Sequence, residues 1–255
     1  MSKNVEISVV VITFNEERNI GRCLKSVQKV ADEIIVVDSH SKDRTQEIAK
    51  SLGARVIPHD FEGYIEQKNW ALDQASNDVV LSLDADEALN EQLADEILKV
   101  KTNFEADGYI VNRLTNYCGT WIKHGKWYPD RKLRLWKRSK GKWGGTNPHD
   151  KVEMEKGSKL KRLEGHLLHY SFYTFDEHLK QIERFTNIAS RAAFEKGKRA
   201  SSLNLILNPL ARFVSGYFFR LGLLDGKAGF TIARYSAYAK YLKYKKLLEI
   251  QKDEG

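Results

Sequence analysis

Four short β-branched runs separated by helical stretches leave this chain little choice of fold. Ile7 to Thr13 reads Ile-Ser-Val-Val-Val-Ile-Thr, and Glu33 to Asp38 reads Glu-Ile-Ile-Val-Val-Asp. Arg55 to Pro58 is a shorter third run, and Val79 to Leu83 is a fourth. Runs this short and apolar are strands buried on both faces. Helical stretches lie between them, from about Asn19 to Lys29, Asp43 to Leu52 and Tyr64 to Ala75, and Asn90 to Lys101 follows the fourth run. Ile20, Leu24 and Val27 recur at helical spacing in the first, and Leu93, Ile97 and Val100 in the last. This alternation predicts right-handed βαβ units and an α/β fold with an open, mostly parallel sheet covered on both faces. Ligands of such sheets bind beyond the carboxyl ends of the strands. Thr13 to Glu17, Asp38 to Ser41 and Asp84 to Glu87 all fall there, so three polar clusters are expected along one sheet edge.

The alternation weakens after Gly108. Gly108 to Arg113 reads as one more strand, and residues 113 to 143 hold ten basic residues against one acid, Asp130, with four of the five tryptophans. Thr174 to Lys196 returns to helix. Leu203 to Leu224 is apolar, with Phe213, Tyr217, Leu221 and Leu224 on one helical face, but Asn208, Pro209, Arg212 and Arg220 interrupt it too often for a membrane span. Tyr235 to Leu248 is helical and carries Lys240, Lys243, Lys245 and Lys246. The mean hydropathy of −0.51 excludes a multi-span membrane protein. Charge divides the chain more sharply than composition does: residues 1 to 110 carry a net −9 and residues 111 to 255 a net +17. The acidic half suits a metal site. The basic half suits an anionic partner, a phosphorylated glycolipid or a membrane surface, unless it only keeps the surface solvated. The acidic first half argues against nucleic acid. Cys23 and Cys118 form neither a ligand cluster nor a disulfide framework, which points to a reducing compartment. Glu6 falls where the apolar core of an export signal would begin, so none is expected.

Asp84 and Asp86 stand one residue apart after an apolar strand. Like charges this close repel unless a cation sits beside them. Hard oxygen ligands suit Mg²⁺ or Mn²⁺, which also binds phosphate oxygens and stabilises a departing diphosphate. An isolated Asp-x-Asp triplet is as often a solvated turn; the preceding strand is what raises this one. Asp38 ends a buried strand, where a carboxylate either accepts from a base or ribose hydroxyl or caps the next helix.

Three motifs carry a resemblance. Ile-Ser-Val-Val-Val-Ile-Thr-Phe-Asn-Glu-Glu, then Ile-Val-Val-Asp-Ser-x-Ser-x-Asp-x-Thr, then Leu-Ser-Leu-Asp-Ala-Asp-Glu match the family 2 glycosyltransferases in order and spacing across roughly the first 110 residues. The resemblance implies the GT-A fold, a Rossmann-like nucleotide-diphospho-sugar transferase, acting with inversion on a UDP-hexose or similar donor with Mg²⁺ or Mn²⁺. It implies that Thr13, Asn15 and Glu16 line the nucleotide pocket, that Asp38 contacts the base, that Asp84 contacts ribose or metal, and that Asp86 holds the metal. Tyr128-Pro129-Asp130, Arg134-Leu135-Trp136, Pro148-His149-Asp150, Leu168-His169-Tyr170 and Leu224 to Phe230 resemble the small bacterial enzymes of lipopolysaccharide core assembly. That branch contains β-glucosyltransferases acting on inner-core heptose. It implies glucose from UDP-glucose as donor, a lipid-linked oligosaccharide as acceptor, and a cytoplasmic location peripheral to the inner membrane. Where many relatives carry His-Glu, this chain has His149-Asp150, one methylene shorter.

Inversion needs a base to take the acceptor proton on the face opposite the leaving diphosphate. Family 2 enzymes place theirs after a glycine-rich stretch such as Gly144-Gly145, which makes Asp150 the first choice, with Asp130 second. His149 and His169 either ligate the metal, contact diphosphate or are structural. Gln67 and Lys68 either help bind the nucleotide or lie on a solvated helix face. Trp127 and its neighbours form a sugar-stacking platform or core, and Arg131, Lys132 and Arg134 meet acceptor phosphates or water. The expected organisation is a catalytic domain over 1–172, with 1–110 binding nucleotide-sugar and 111–172 facing the acceptor. A basic helical extension over 173–255 follows, lying on a membrane or joining copies into a homo-oligomer. Two rivals remain at this point. One is a sugar-1-phosphate nucleotidyltransferase, which should carry a glycine-rich basic loop where Phe14-Asn15-Glu16-Glu17 stands. The other is a non-catalytic basic membrane- or nucleic-acid-binding module.

Overall fold

A computed structural model describes residues 4–146 and 149–254. β1 (Ile7–Thr13), β2 (Glu33–Asp38), β3 (Arg55–Pro58) and β4 (Val79–Asp84) alternate with α1 (Ile20–Val27), α2 (Thr45–Ser51) and α3 (Tyr64–Asp73). β1 pairs in parallel with both β2 and β4, and β2 with β3. β1, β2 and β4 are buried on both faces, while β3 at the sheet edge is half-buried to exposed. Val9 and Val11 join Leu81, Leu83, Leu24 and Ile97 in one core, while Val10 joins Ile35, Val37, Val80, Trp136 and Trp143 in another. That division is the period-two alternation of a strand between two layers.

After β4 come β5 (Glu87–Leu89), α4 (Glu91–Thr102), β6 (Gly108–Tyr117), β7 (Thr120–Trp121), β8 (Asp130–Lys137), β9 (Gly141–Thr146), β10 (His149–Met154) and β11 (Leu160–Phe172). The main sheet runs β3-β2-β1-β4-β8-β6-β11-β5, with β7 on β6, and β9 and β10 form a separate antiparallel pair. β8 is antiparallel to β4, so a parallel half continues into an antiparallel half. The weakened alternation after Gly108 is this change: hairpin-connected strands need no crossover helix. β11 closes onto β5, with His169 opposite Glu87, and α4 starts where that pair ends. A Cβ on Gly165 would lie 2.4 Å from the Leu93 backbone, so only glycine lets β11 pass this close to α4.

The remaining helices are α5 (Phe175–Glu195), α6 (Asn204–Val214) and α7 (Gly226–Asp253). Contacts divide the chain into two compact units, residues 1–114 with 130–170, and residues 115–129 with 171–255. The segment 115–129, grouped with the acceptor side on sequence, clusters with the C-terminal helices. In this second unit, Tyr117, Ile122, Phe172 and Ile232 form a small core. The Tyr117 hydroxyl and His178 Nδ1 share a 2.9 Å hydrogen bond, and burial pushes the His178 pKa down to about 4. The apolar stretch after Leu203 is not one helix. A π-turn over Ser215–Phe219 follows α6, and Leu221 takes a left-handed φ of 58°. Leu221 therefore leaves the helical face predicted for it with Phe213 and Tyr217.

Candidate active site

Strand register assembles the site before any side chain is considered. Thr13 pairs with Asp38 on one side of β1, and Ile12 pairs with Asp84 on the other. The three polar clusters therefore stand at one edge of the sheet. Among the described residues, the buried Thr13 hydroxyl has no hydrogen-bond partner. An orphaned polar atom at a strand end is a place where a ligand would complete the bonding. Asn15 takes a left-handed φ of 54°, its N–H donates to Ser41 Oγ at 2.8 Å, and its Oδ1 accepts from Lys42 N at 2.8 Å. Asn is among the few residues other than glycine that adopt this conformation readily. The two loops are thus locked to each other. Asp38 is fully buried and accepts from Ser41 N at 2.8 Å and from Gln46 Nε2 at 2.6 Å. It shapes the loop before α2 without capping that helix, whose N-cap position is Arg44.

α3 contributes the next pair. Gln67 is buried, donating to Ser39 Oγ at 3.0 Å and facing His59 Nδ1 at 2.8 Å. Lys68 is only 4% exposed, which removes the solvated-face alternative for it. Its Nζ lies 2.9 Å from Asp84 Oδ1 and 2.7 Å from Asp150 Oδ2, above the Trp143 ring at 4.3 Å. Asn69 fixes this approach by a two-way bond to the Trp143 backbone, donating to its carbonyl and accepting from its N–H, each at 2.9 Å. Trp143 lies on β9, whose partner β10 sets Asp150 opposite Gly145. Lys68 thus ties the residue expected as base to the end of β4. Among the described residues, Asp150 Oδ1 takes no hydrogen bond.

The Asp84-Ala85-Asp86 turn is asymmetric. Asp84 Oδ2 meets Arg134 at 3.2 Å in addition to the Lys68 contact on Oδ1. Burial pushes the Asp84 carboxyl up, but Lys68 and then Arg134 pull it further down, leaving it well below the usual carboxylate range. Asp86 instead faces His169 Nε2 at 3.2 Å, and its carbonyl accepts from Tyr170 N at 2.9 Å. Behind the turn, the fully buried Glu87 lies between Arg134 at 2.7 Å and Arg113 at 3.3 Å. Glu16 Oε2 accepts from Asn19 at 2.7 Å. Burial, reinforced by Asp86, Asp43 and Asp84 and opposed by the Asn19 bond, raises the Glu16 pKa to about 7.

The other expected residues spread apart. Asp130 starts β8, where Arg113 Nη2 holds it at 2.7 Å and Lys132 at 3.2 Å. Burial raises its carboxyl and Arg113 and Lys132 more than offset this, so it sits below its ordinary value. Arg134, expected among acceptor contacts, is instead buried, held by Asp84 and Glu87. Arg131 is exposed. Trp127 belongs to the second unit, packed edge-on to Tyr117 with ring centroids 5.5 Å apart and near Phe172 and His178. Trp136 and Trp143 are core. The side chain of His149, and Pro148 before it, lie outside the described residues. Glu87, Arg113 and the Lys68 bridge were not anticipated. A signal for them existed: an arginine inside the apolar run Leu133-Arg134-Leu135-Trp136 requires a buried partner.

For a divalent cation this edge offers oxygen and imidazole donors on Asp86 and His169, with Asp84 already engaged by two cations. Among the described residues no group of three or more His, Cys, Asp or Glu side chains is spaced to hold a metal. Two protein donors fit Mg²⁺ or Mn²⁺ bound jointly with substrate phosphates and water, the usual arrangement for Mg²⁺ at phosphate sites.

Comparison with known proteins identifies the family of the chain. The family model Glycosyl transferase family 2 matches residues 8–162. An uncharacterized glycosyltransferase of Rickettsia typhi is 32% identical over 96% of this chain and 87% of its own length. The lipopolysaccharide core biosynthesis glycosyltransferase LpsC of Rhizobium meliloti is 28% identical over 98% and 94%. Among solved structures, glucosyl-3-phosphoglycerate synthase of Mycobacterium tuberculosis, in complex with Mn²⁺ and UDP-glucose, is 26% identical over 44% of each chain with a TM-score of 0.37. The chain thus spans less than half of that synthase. S. aureus TarS 1–349 is 16% identical over 98% of this chain and 92% of its own, with a TM-score of 0.45. The match over residues 8–162 decides against the nucleotidyltransferase alternative, and the chain belongs to the family 2 glycosyltransferases.

Proposed function

We propose that this glycosyltransferase moves a hexose, glucose from UDP-glucose, with inversion onto a hydroxyl of a lipid-linked oligosaccharide such as the lipopolysaccharide inner core, at the cytoplasmic face of the inner membrane. The observation that carries the reading is the Lys68 bridge, which joins Asp150 to the carboxylate-rich end of β4 beside the ends of β1 and β2. The similarity to LpsC supports the acceptor class.

Thr13, Asn15, Glu16, Asp38 and Gln67 form the nucleotide side, with the orphaned Thr13 hydroxyl as a hydrogen-bonding group for the base. Asp86 and His169 hold Mg²⁺ or Mn²⁺, and Asp84 orients the ribose and Lys68. When bound, the cation offsets the charge of the diphosphate. Asp150 takes the proton of the acceptor hydroxyl as its oxygen bonds to the anomeric carbon and the bond from that carbon to the diphosphate oxygen breaks. Lys68 holds one Asp150 oxygen and leaves the other for that proton. Glu16, near half-protonated at neutral pH, limits the negative charge that accumulates next to the diphosphate. Asp130, neutralised by Arg113 and Lys132, is structural on this reading, and Arg131 is the exposed cation for an acceptor phosphate.

Hydrolysis of a panel of nucleotide sugars, with and without chelator, tests the proposal. UDP-glucose is expected to be cleaved in the presence of Mg²⁺ or Mn²⁺, and Asp86→Ala to lower the rate by about 10²–10³. Full activity in Asp86→Ala would remove the metal assignment, and cleavage of a different nucleotide sugar would replace the donor.

A further inference from the structure

α6 presents an apolar stripe to solvent. Leu203, Ile206, Leu207 and Leu210 recur at i, i+3, i+4 and i+7, the spacing of one helical face, and each is more than half exposed. Phe219, just beyond α6, is 81% exposed. Nine of the nineteen exposed large apolar side chains among the described residues lie between Leu203 and Leu224. Isolated exposed apolar residues are ordinary, but a run of this density marks a surface with a partner.

The charge around this stripe has one sign. Residues 196 to 248 contain eleven basic residues and a single acid, Asp225. That acid is already engaged by the backbone N–H groups of Lys123 and His124 at 3.2 and 2.9 Å and by His124 Nδ1 at 2.8 Å. Lys126 and Arg212 line the same crevice as Asp225, where α6 and the turns after it cross α7. That crossing is unusually close: a Cβ on Gly229 would lie 1.9 Å from the Gly222 carbonyl. Gly125 N bonds the Arg220 carbonyl at 2.8 Å, which brings Arg220 beside Lys126. Lys240 lies one helical turn beyond Ser236, another lining residue. Among the described residues, no ion pair forms with Lys126, Arg212, Arg220 or Lys240. Burial, then Arg212 and Arg220, push the Lys126 ammonium down, and burial, Lys243, Arg212 and Lys126 do the same for Lys240.

A cluster of like charges with no counter-ion is unfavourable in the isolated chain and is relieved by an anion. An apolar stripe next to it calls for an amphiphile. Among the described residues, no helix is long and apolar enough to cross a membrane. We infer that α6 and the turns after it lie in the interfacial plane of an anionic phospholipid surface, with Leu203, Ile206, Leu207, Leu210 and Phe219 among the acyl chains and Lys126, Arg212, Arg220 and Lys240 on headgroup phosphates. This deepens the proposed function, since it rests on the reading that the acceptor is lipid-linked and names the surface that meets the lipid.

The test is flotation of the full-length protein with vesicles. Wild type is expected to float with phosphatidylglycerol-containing vesicles, to bind phosphatidylcholine vesicles at least about tenfold less, and to be released by high salt. Lys126→Gln and Arg220→Gln, both at exposed positions, should each weaken binding about fivefold, at about 1 kcal/mol per surface cation. Ile206→Ser and Phe219→Ser should weaken it on the same vesicles without lowering Tm by circular dichroism. Equal binding to neutral vesicles, or charge variants that float like wild type, would overturn the inference. So would inorganic phosphate raising Tm of wild type but not of Arg220→Gln while no vesicle binds, which makes the cluster a site for free phosphate. A concentration-dependent dimer that buries the stripe and ignores vesicles would overturn it as well. Donor hydrolysis measured on the same samples separates the two readings: vesicle binding without cleavage of any nucleotide sugar sinks the transferase chemistry alone, and cleavage without vesicle binding sinks only the surface.

Discussion

The β4 edge and the α6 surface treat charge in opposite ways. At the β4 edge, Lys68, Arg113 and Arg134 are interleaved with Asp84, Glu87, Asp130 and Asp150, so nearly every ion has its counter-ion within the fold. Around α6, Lys126, Arg212, Arg220 and Lys240 share one sign, the neighbouring acid Asp225 is taken up by His124, and apolar side chains face outward. The first arrangement is pre-organised: its groups are fixed before substrate arrives, which is what positions a base and a leaving group. The second is incomplete without an external phase. One region can be understood from the folded chain alone, and the other only with a partner.

The largest expected effect tests whether the β4 edge is organised for chemistry. Asp150→Asn should lower kcat by about 10²–10⁴ with the fold intact, while Asp130→Asn should change it far less, as a carboxylate neutralised by two cations is a poor proton acceptor. Steady-state kinetics on both variants would settle it, and the opposite ranking would exchange their roles. Glu87→Gln comes next. It leaves Arg134 and Arg113 without their fully buried counter-ion, and breaking such a pair costs about 3–5 kcal/mol, on the order of ten degrees in Tm. The matched variant at the other region, Lys240→Gln, should leave Tm unchanged or raise it slightly, because a repulsion is removed. A thermal melt in which both variants lose equally would erase the contrast drawn between the two regions.

The smallest effect is a pH dependence. Glu16 has a folded pKa of about 7 against 4.5 for the ordinary carboxyl. The folded state binds its proton more tightly than the unfolded state, so stability falls as pH rises from about 4.5 through 7. Glu16→Gln should flatten that part of the profile and raise Tm by a few degrees above pH 7, measured on ligand-free protein in chelator. If wild type and variant show parallel profiles from pH 4.5 to 8, neither burial nor the neighbouring carboxylates raise the Glu16 pKa in the folded chain.

Much of the parallel half was legible. Strands one to four and their helices fall within a few residues of their predicted bounds, because burial on both faces writes an unbroken β-branched run into the sequence. Asp38, Asp84 and Thr13 were placed at one edge for the same reason. The antiparallel half was less readable. Its strands carry polar residues on part of each face, and Glu87 and Arg113, like Lys68 on α3, resemble surface residues until their partners are known. The break at Leu221 is not written in the apolar spacing, because a left-handed turn at a non-glycine residue leaves no mark in the hydrophobic pattern.

The amino-acid sequence by itself determined the α/β class, the family, the strand ends that carry the polar clusters and the division into acidic and basic halves. These are local or compositional properties, set by periodicity, motif spacing and charge count. Only the tertiary structure decided which partner each carboxylate meets: Asp84 with Lys68 and Arg134, Asp86 with His169, Asp130 with Arg113, and Asp150 drawn to Lys68 across 82 positions of chain. Coulomb energy depends on distance in space, and neighbours along the chain say little about it once strands from opposite ends of the catalytic half pair side by side.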